Sequence, residues 1–237
     1  MSSTTDTNET ISPEFVFRGA FSIDIAIFSF IEGELRVLLQ RKTEDPLKGQ
    51  LGLIGKLLFP NEETDEAVDR YLGQLVGQSD FYKKQLRSFS KVNRHPMGRV
   101  VTMAYYALTT PDAFTIKPNS GLEWFSIHEV PSLSLDHNEI YDFILFRLKK
   151  GLLRHPNVFE LLPDEFTISD IMTIYEQAFN TKLDASNFQR QVKSSELLKP
   201  LNRLRKSDRQ NGRPPQLYCL DRNRYRRNSK DPVRFNF

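Results

Sequence analysis

Between Arg154 and Pro163 the chain carries two prolines and no sustained hydrophobic periodicity, and the pattern changes across that gap. Upstream, strand-like apolar runs are interspersed with helical spacing; downstream, two helical patterns lead into a strongly basic segment. Two packed units are expected, and 237 residues are enough for both. The boundaries fall at a disordered leader over 1–14, a first unit over 15–153, a linker over 154–162 and a second unit over 163–237. With 39% hydrophobic and 27% charged residues, the composition supports a sizeable core and excludes a wholly disordered chain. The polar opening from Met1 to Thr10 lacks a signal-like apolar stretch, and no window approaches the ~18 apolar residues that span a bilayer. Cys219 is the only cysteine, so neither an internal disulfide nor a multi-cysteine zinc site can form. A cytoplasmic protein without membrane contact is expected.

In the first unit, Phe21 to Phe30 and Leu35 to Lys42 read as strands of a hairpin turning at Glu32-Gly33-Glu34. Val68, Leu72, Leu75 and Val76 predict an amphipathic helix over about Glu62 to Val76. Strands are predicted again at Phe89 to Val92, Arg99 to Leu108 and Leu122 to Ile127, then a helix over about His137 to Leu153. The fold class is α+β. Asp136-His137 precedes that helix and reads as an N-terminal cap. Tyr105 and Tyr106 alternate faces of a strand, and Trp124 reads as core.

The tail differs in charge. From Lys199 to Phe237 there are twelve Lys and Arg against three Asp and Glu, a net +9, which leaves −6 for residues 1–198. Concentrated positive charge suits a polyanion, because neutralised phosphates release counterions. Ile168, Ile171, Met172, Tyr175, Ala178 and Phe179 have helical spacing, with a capping box at Thr167 and Asp170. Ser186 and Gln189 repeat that capping pattern before a polar helix, and two strands follow around a basic tip. This is the order of a winged helix-turn-helix, in which the second helix enters the major groove and the wing tracks phosphates. Ser186, Asn187, Arg190, Gln191 and Lys193 are candidate base readers; Arg203, Arg205, Arg209 and Arg213 are candidate backbone contacts. A protein-interaction appendage with a solvated polar face has the same pattern.

The loop and helix around Glu62 keep part of the Nudix pyrophosphohydrolase signature, G-x5-E-x7-R-E-U-x-E-E-x-G-U with U aliphatic. Glu62, Arg70 and Gly77 stand at the matching spacings. The departures fall on the chemistry: Lys56 replaces the opening glycine, Tyr71 the glutamate after the arginine, and Gln74 and Leu75 the paired glutamates. Neutral side chains cannot supply the hard oxygens that hold Mg²⁺ against a diphosphate. No catalytic residue, metal ligand or cofactor is therefore expected.

With LIGKLLFPNEE, RVVTMAYYAL, EWFSIHEVPSLSLDH, LLPDEFTISDIMTIYEQAF and DASNFQRQV in that order, residues 15–237 resemble the Nudix-related transcriptional regulators. The resemblance implies a Nudix-like α/β/α sandwich with a mixed sheet, joined to a C-terminal winged helix. It also implies a homodimer on double-stranded operator DNA and a pocket that senses a sugar or nucleotide sugar. Similar proteins respond to ADP-ribose or, in the branch that this chain resembles more closely, to arabinose. Arg41, Gly55, Lys56, Arg94, Arg99 and Tyr105 are the candidate effector contacts, although each arginine reads equally well as a surface or structural residue. A low-activity Mg²⁺-dependent hydrolase using Glu62, Glu63 or Glu66 is the enzymatic alternative, and a protein-interaction adaptor is the third.

Overall fold

The computed structural model describes residues 19–77, 81–117, 120–205 and 214–228. Its centre is a seven-stranded mixed sheet: β1 (Ala20–Ile31), β2 (Glu34–Arg41), β3 (Leu51–Gly52), β4 (Ile54–Leu57), β5 (Tyr82–Phe89), β6 (Val100–Thr109) and β7 (Leu122–Ser126). β1 and β2 form the expected antiparallel hairpin, while β1 and β6 pair in parallel from Ala20 opposite Val100 to Ser29 opposite Thr109.

Period-two alternation along β1 makes the layers. Ile23, Ile25 and Ile27 pack with Ala67, Val68 and Leu72 of α1 (Thr64–Val76) on one face. Ala26, Phe28 and Phe30 pack on the other face with Ile140, Ile144 and Leu148 of α2 (His137–Arg154). β6 is divided likewise, so Tyr105 lies on the α1 side and Tyr106 on the α2 side. The result is an α/β/α sandwich with a mixed sheet.

The strand predicted over Phe89 to Val92 lies elsewhere. β5 ends at Phe89, and its body, YKKQLRSF, hides its alternation behind Lys83, Lys84 and Arg87 and a bulge between Gln85 and Ser88. Cations on an outer strand discourage pairing with other chains. Ser90 to Arg99 form the turn back to β6.

Residues 154–162 contain a 3₁₀ helix, Asn157–Leu161, whose Val158, Phe159 and Leu161 are buried. It leads to α3 (Ile168–Phe179), α4 (Ala185–Ser194), the antiparallel pair β8 (Leu198–Leu204) and β9 (Gln216–Leu220), and a short α5 (Arg222–Asn228) that the tail's pattern did not predict. Thr167 and Asp170 make the predicted capping box on α3. The cap of α4 is Asp184 rather than Ser186: its carboxylate accepts from Asn187 N at 2.7 Å, and Ser186 sits within the first turn. One apolar cluster runs from β1 and β2 through α2 and the 3₁₀ helix to Ile171 and Tyr175 of α3 and Phe188 and Val192 of α4. Among the described residues no helix is long and apolar enough to cross a membrane.

Candidate functional site

Where β1, β2 and β4 end against α1 and α2, they enclose a cavity of about 300 Å³. Ser22 and Asp24 come from β1, Gln40 and Lys42 from β2 and its exit, Gly55 and Lys56 from β4, Tyr71 from α1, Arg94 and His95 from the β5–β6 turn, and His137 from α2.

Its floor is a buried charge network. Arg94 donates to both oxygens of Asp136, at 3.0 and 2.8 Å, and to Asp24 Oδ2 at 3.2 Å. Its side chain is 2% exposed, so the guanidinium is committed to two carboxylates. Gly55 sits opposite Asp24 in the β1–β4 ladder, and a Cβ there would lie 2.4 Å from Asp24 Oδ1. Only glycine leaves that carboxylate its place. Asp136 occupies the N-cap of α2 but makes no side-chain cap bond; the ion pair with Arg94 has displaced the expected capping role. His137 Nδ1 accepts from Leu53 N at 3.0 Å, and its Nε2 stands 3.5 Å from Asp24 Oδ1. The accepting Nδ1 puts the proton of the neutral ring on Nε2, facing Asp24. Lys42 donates to Leu53 O at 2.9 Å, and burial together with nearby Lys56 lowers its pKa.

Burial also lowers the pKa values of His137 and His95 from their ordinary 6.5. In the unfolded chain these rings take up protons as pH falls through 6.5, whereas in the fold they resist. Stability present above 6.5 should therefore be lost as pH falls toward the lower folded values. Melting midpoints across that range should decline more steeply for the wild type than for His137→Gln; equal slopes would remove His137 from this account.

Of the six candidate effector contacts, Gly55, Lys56 and Arg94 line the cavity. Arg41 lies outside it and donates to Gly49 O at 2.9 Å. Arg99 donates to the carbonyls of Ser90 and Lys91, bracing the β5–β6 turn. Tyr105 is buried toward α1, its hydroxyl 2.8 Å from both Thr64 Oγ1 and Asp65 Oδ1. The residues missed are Asp24, Lys42, Asp136 and His137. Ser22 and Asp24 are legible in retrospect as two polar side chains, two residues apart, on the face that continues as Ala26, Phe28 and Phe30.

The remaining signature positions serve local structure. Glu62 accepts from Arg70 Nε and Nη2 at 2.9 and 2.6 Å and from Phe59 N at 2.6 Å, and the Arg70 guanidinium holds its carboxyl below the usual range. Glu66 closes the capping box of α1 with Glu63 N, and Gly77 caps the helix at φ 77. Tyr71 meets Gln40 at 3.2 Å beside the cavity, Gln74 is exposed, and Leu75 packs on the α1 side. Among the described residues no group of three or more His, Cys, Asp or Glu side chains is placed together at a metal-holding distance.

In the tail, Ser186, Gln189, Arg190 and Lys193 are exposed along α4 while Phe188 and Val192 anchor it to the core. Asn187 and Gln191 are partly buried, and Arg190 Nη2 donates to Asn187 Oδ1 at 2.8 Å. Arg203 pairs with Glu165, and Arg205 holds Asp170 bidentately at 2.9 and 2.7 Å, tying the wing to the start of α3. Arg209 and Arg213 lie outside the described residues.

Residues 158–220 match the NrtR DNA-binding winged helix domain. The chain is 27% identical over 205 residues to an ADPR responsive transcriptional repressor of Acinetobacter baylyi, covering 83% of this chain and 80% of that protein. The crystal structure of Shewanella oneidensis NrtR complexed with a 27mer DNA superposes with a TM-score of 0.76 at 25% identity, covering 87% of this chain and 95% of that one. The isolated Nudix domain of the same Shewanella protein, complexed with ADP ribose, matches with a TM-score of 0.51 at 25% identity, over 58% of this chain and 93% of that one.

Proposed function

We propose that this chain, which is similar to the NrtR proteins in its winged helix over residues 158–220 and in the Nudix-like sheet that precedes it, is a DNA-binding transcriptional repressor of NAD-related genes. Its Nudix-like cavity takes ADP-ribose or a closely related nucleoside diphosphate sugar, and a homodimer presents two α4 helices to a palindromic operator. The resemblance places this chain nearer the arabinose-responsive branch, but ADP-ribose is the effector named for the relatives. The cavity is a recognition site rather than a hydrolytic one, since Glu62 and Glu66 are engaged in the loop and cap.

The observation that carries this reading is the way β2 joins the two units. One end of the strand brings Gln40 and then Lys42 to the cavity. The other end is gripped by α3: Gln177 Oε1 accepts from Leu35 N at 2.6 Å, and its Nε2 donates to Gly33 O at 2.8 Å. His128 Nε2 meets the Gln177 carbonyl at 2.9 Å. A ligand that shifts β2 therefore acts on the helix preceding α4, and linkage requires DNA to affect ligand affinity by the same factor.

Operator affinity, measured on duplex from the protein's own upstream region, should fall roughly 5- to 150-fold with saturating ADP-ribose. Gln177→Ala should keep ADP-ribose binding while losing most of that factor. Unchanged operator affinity with ADP-ribose bound would overturn the regulatory reading, and Glu62-dependent hydrolysis of ADP-ribose would favour the enzyme.

A further inference from the structure

We propose that a second cavity, of about 240 Å³ between β5, β6 and the C-terminal half of α2, binds a phosphate group. Three elements converge there. Lys84 of β5 stands directly opposite Tyr106 of β6 in the antiparallel ladder, so both side chains share the face turned toward α2. Arg147, Lys150 and Arg154 lie on one stripe of α2, and His155 follows at its end. Among the described residues none of Lys84, Arg147, Lys150 and Arg154 pairs with a carboxylate, whereas neighbouring Lys83, on the other face of β5, is paired with Asp69.

The floor supplies the second observation. Tyr106 is 1% exposed, and its hydroxyl makes no hydrogen bond; Tyr82 and Asn157 stand beside it without meeting it in bonding geometry. Both side-chain polar atoms of buried Asn157 are also unsatisfied. Gly151 brings these groups together, since a Cβ there would lie 3.2 Å from both Tyr106 Oη and Asn157 Nδ2. Of these groups the Tyr106 hydroxyl lines the cavity, and because buried polar atoms are rarely left without partners, a bound group that accepts from it accounts for the exception.

Helix-dipole complementarity accounts for Arg154 in the last turn of α2, but not for Lys84 on a strand or for the Tyr106 hydroxyl. A carboxylate could be satisfied by a single guanidinium. Donors converging from two strands and a helix suit a tetrahedral anion with several charged oxygens. The occupied site would lie where α2 passes through His155-Pro156 into the 3₁₀ helix and α3.

Calorimetric titration of the full chain with inorganic phosphate at constant ionic strength tests this. Saturable binding is expected, weakened roughly tenfold by Arg147→Gln and by Tyr106→Phe, and unchanged by Lys56→Gln in the other cavity. Tyr106→Phe should melt no lower than wild type without phosphate, because it removes an unsatisfied hydroxyl, so lost binding cannot be ascribed to unfolding. A parallel arm uses random duplex DNA at low salt. If free phosphate does not bind but Arg147→Gln and Tyr106→Phe weaken duplex binding, the site takes a phosphodiester instead. Absence of both effects, or phosphate binding abolished by Lys56→Gln alone, would overturn the proposal.

Discussion

Arg94→Met should cost the fold about 3–5 kcal/mol in urea denaturation, the usual penalty for stripping one partner from a buried ion pair. The methionine fills much of the same space but leaves Asp24 and Asp136 facing each other without the guanidinium that joins them. Neutralising both carboxylates in the same chain, with Asp24→Asn and Asp136→Asn, should recover most of the loss, because the penalty belongs to the stranded charges rather than to missing volume. Arg94→Lys should fall between, since a lysine cannot reproduce the fork that reaches two carboxylates. A loss below about 1 kcal/mol for Arg94→Met would place the three groups in water rather than in a sealed floor. ADP-ribose affinity should fall with stability in Arg94→Met and return in the triple variant only as far as Asp24 and Asp136 act as scaffold; any affinity still missing measures direct contact.

How much of this was legible in the sequence depended on the range of the interactions involved. Alternation in β1 and helical spacing in α1, α2 and α3 are local and strong, so the hairpin and the helices could be read directly, whereas the sandwich they build was only implied by the family resemblance. β5 was hidden because its exposed cations break the apolar pattern at the same point as a bulge. In the cavity, arginines at 41, 94 and 99 look alike in sequence; only the turn that buries Arg94 between Asp24 and Asp136 distinguishes it. Asp136-His137 has the local form of a helix cap, yet the long-range pair with Arg94 outcompetes capping and the Leu53 amide claims the imidazole. Arg205 reads in sequence as a phosphate contact, and its bidentate bond to Asp170, which ties the wing to α3, is not legible there. β5 apart, each case turns on a partner more than thirty residues away, which neither composition nor spacing encodes.

The largest effect on DNA should come from Arg190→Ala. Arg190 stands on the exposed stripe of α4 with Ser186, Gln189 and Lys193, and the Asn187 carbonyl steadies its guanidinium. A guanidinium already held in place loses less freedom on meeting a guanine edge, and one bidentate base contact is worth about 1–3 kcal/mol. Operator affinity should thus drop roughly 5- to 150-fold, with discrimination lost at one base position of each half-site. Lys193→Ala should weaken operator and random duplex alike and reduce the salt slope by about one. Asn187→Ala should act through Arg190, adding little in the double variant. Equal losses on operator and random duplex for Arg190→Ala would make it a backbone contact and leave base reading to its neighbours on α4, the exposed Ser186 and Gln189 among them.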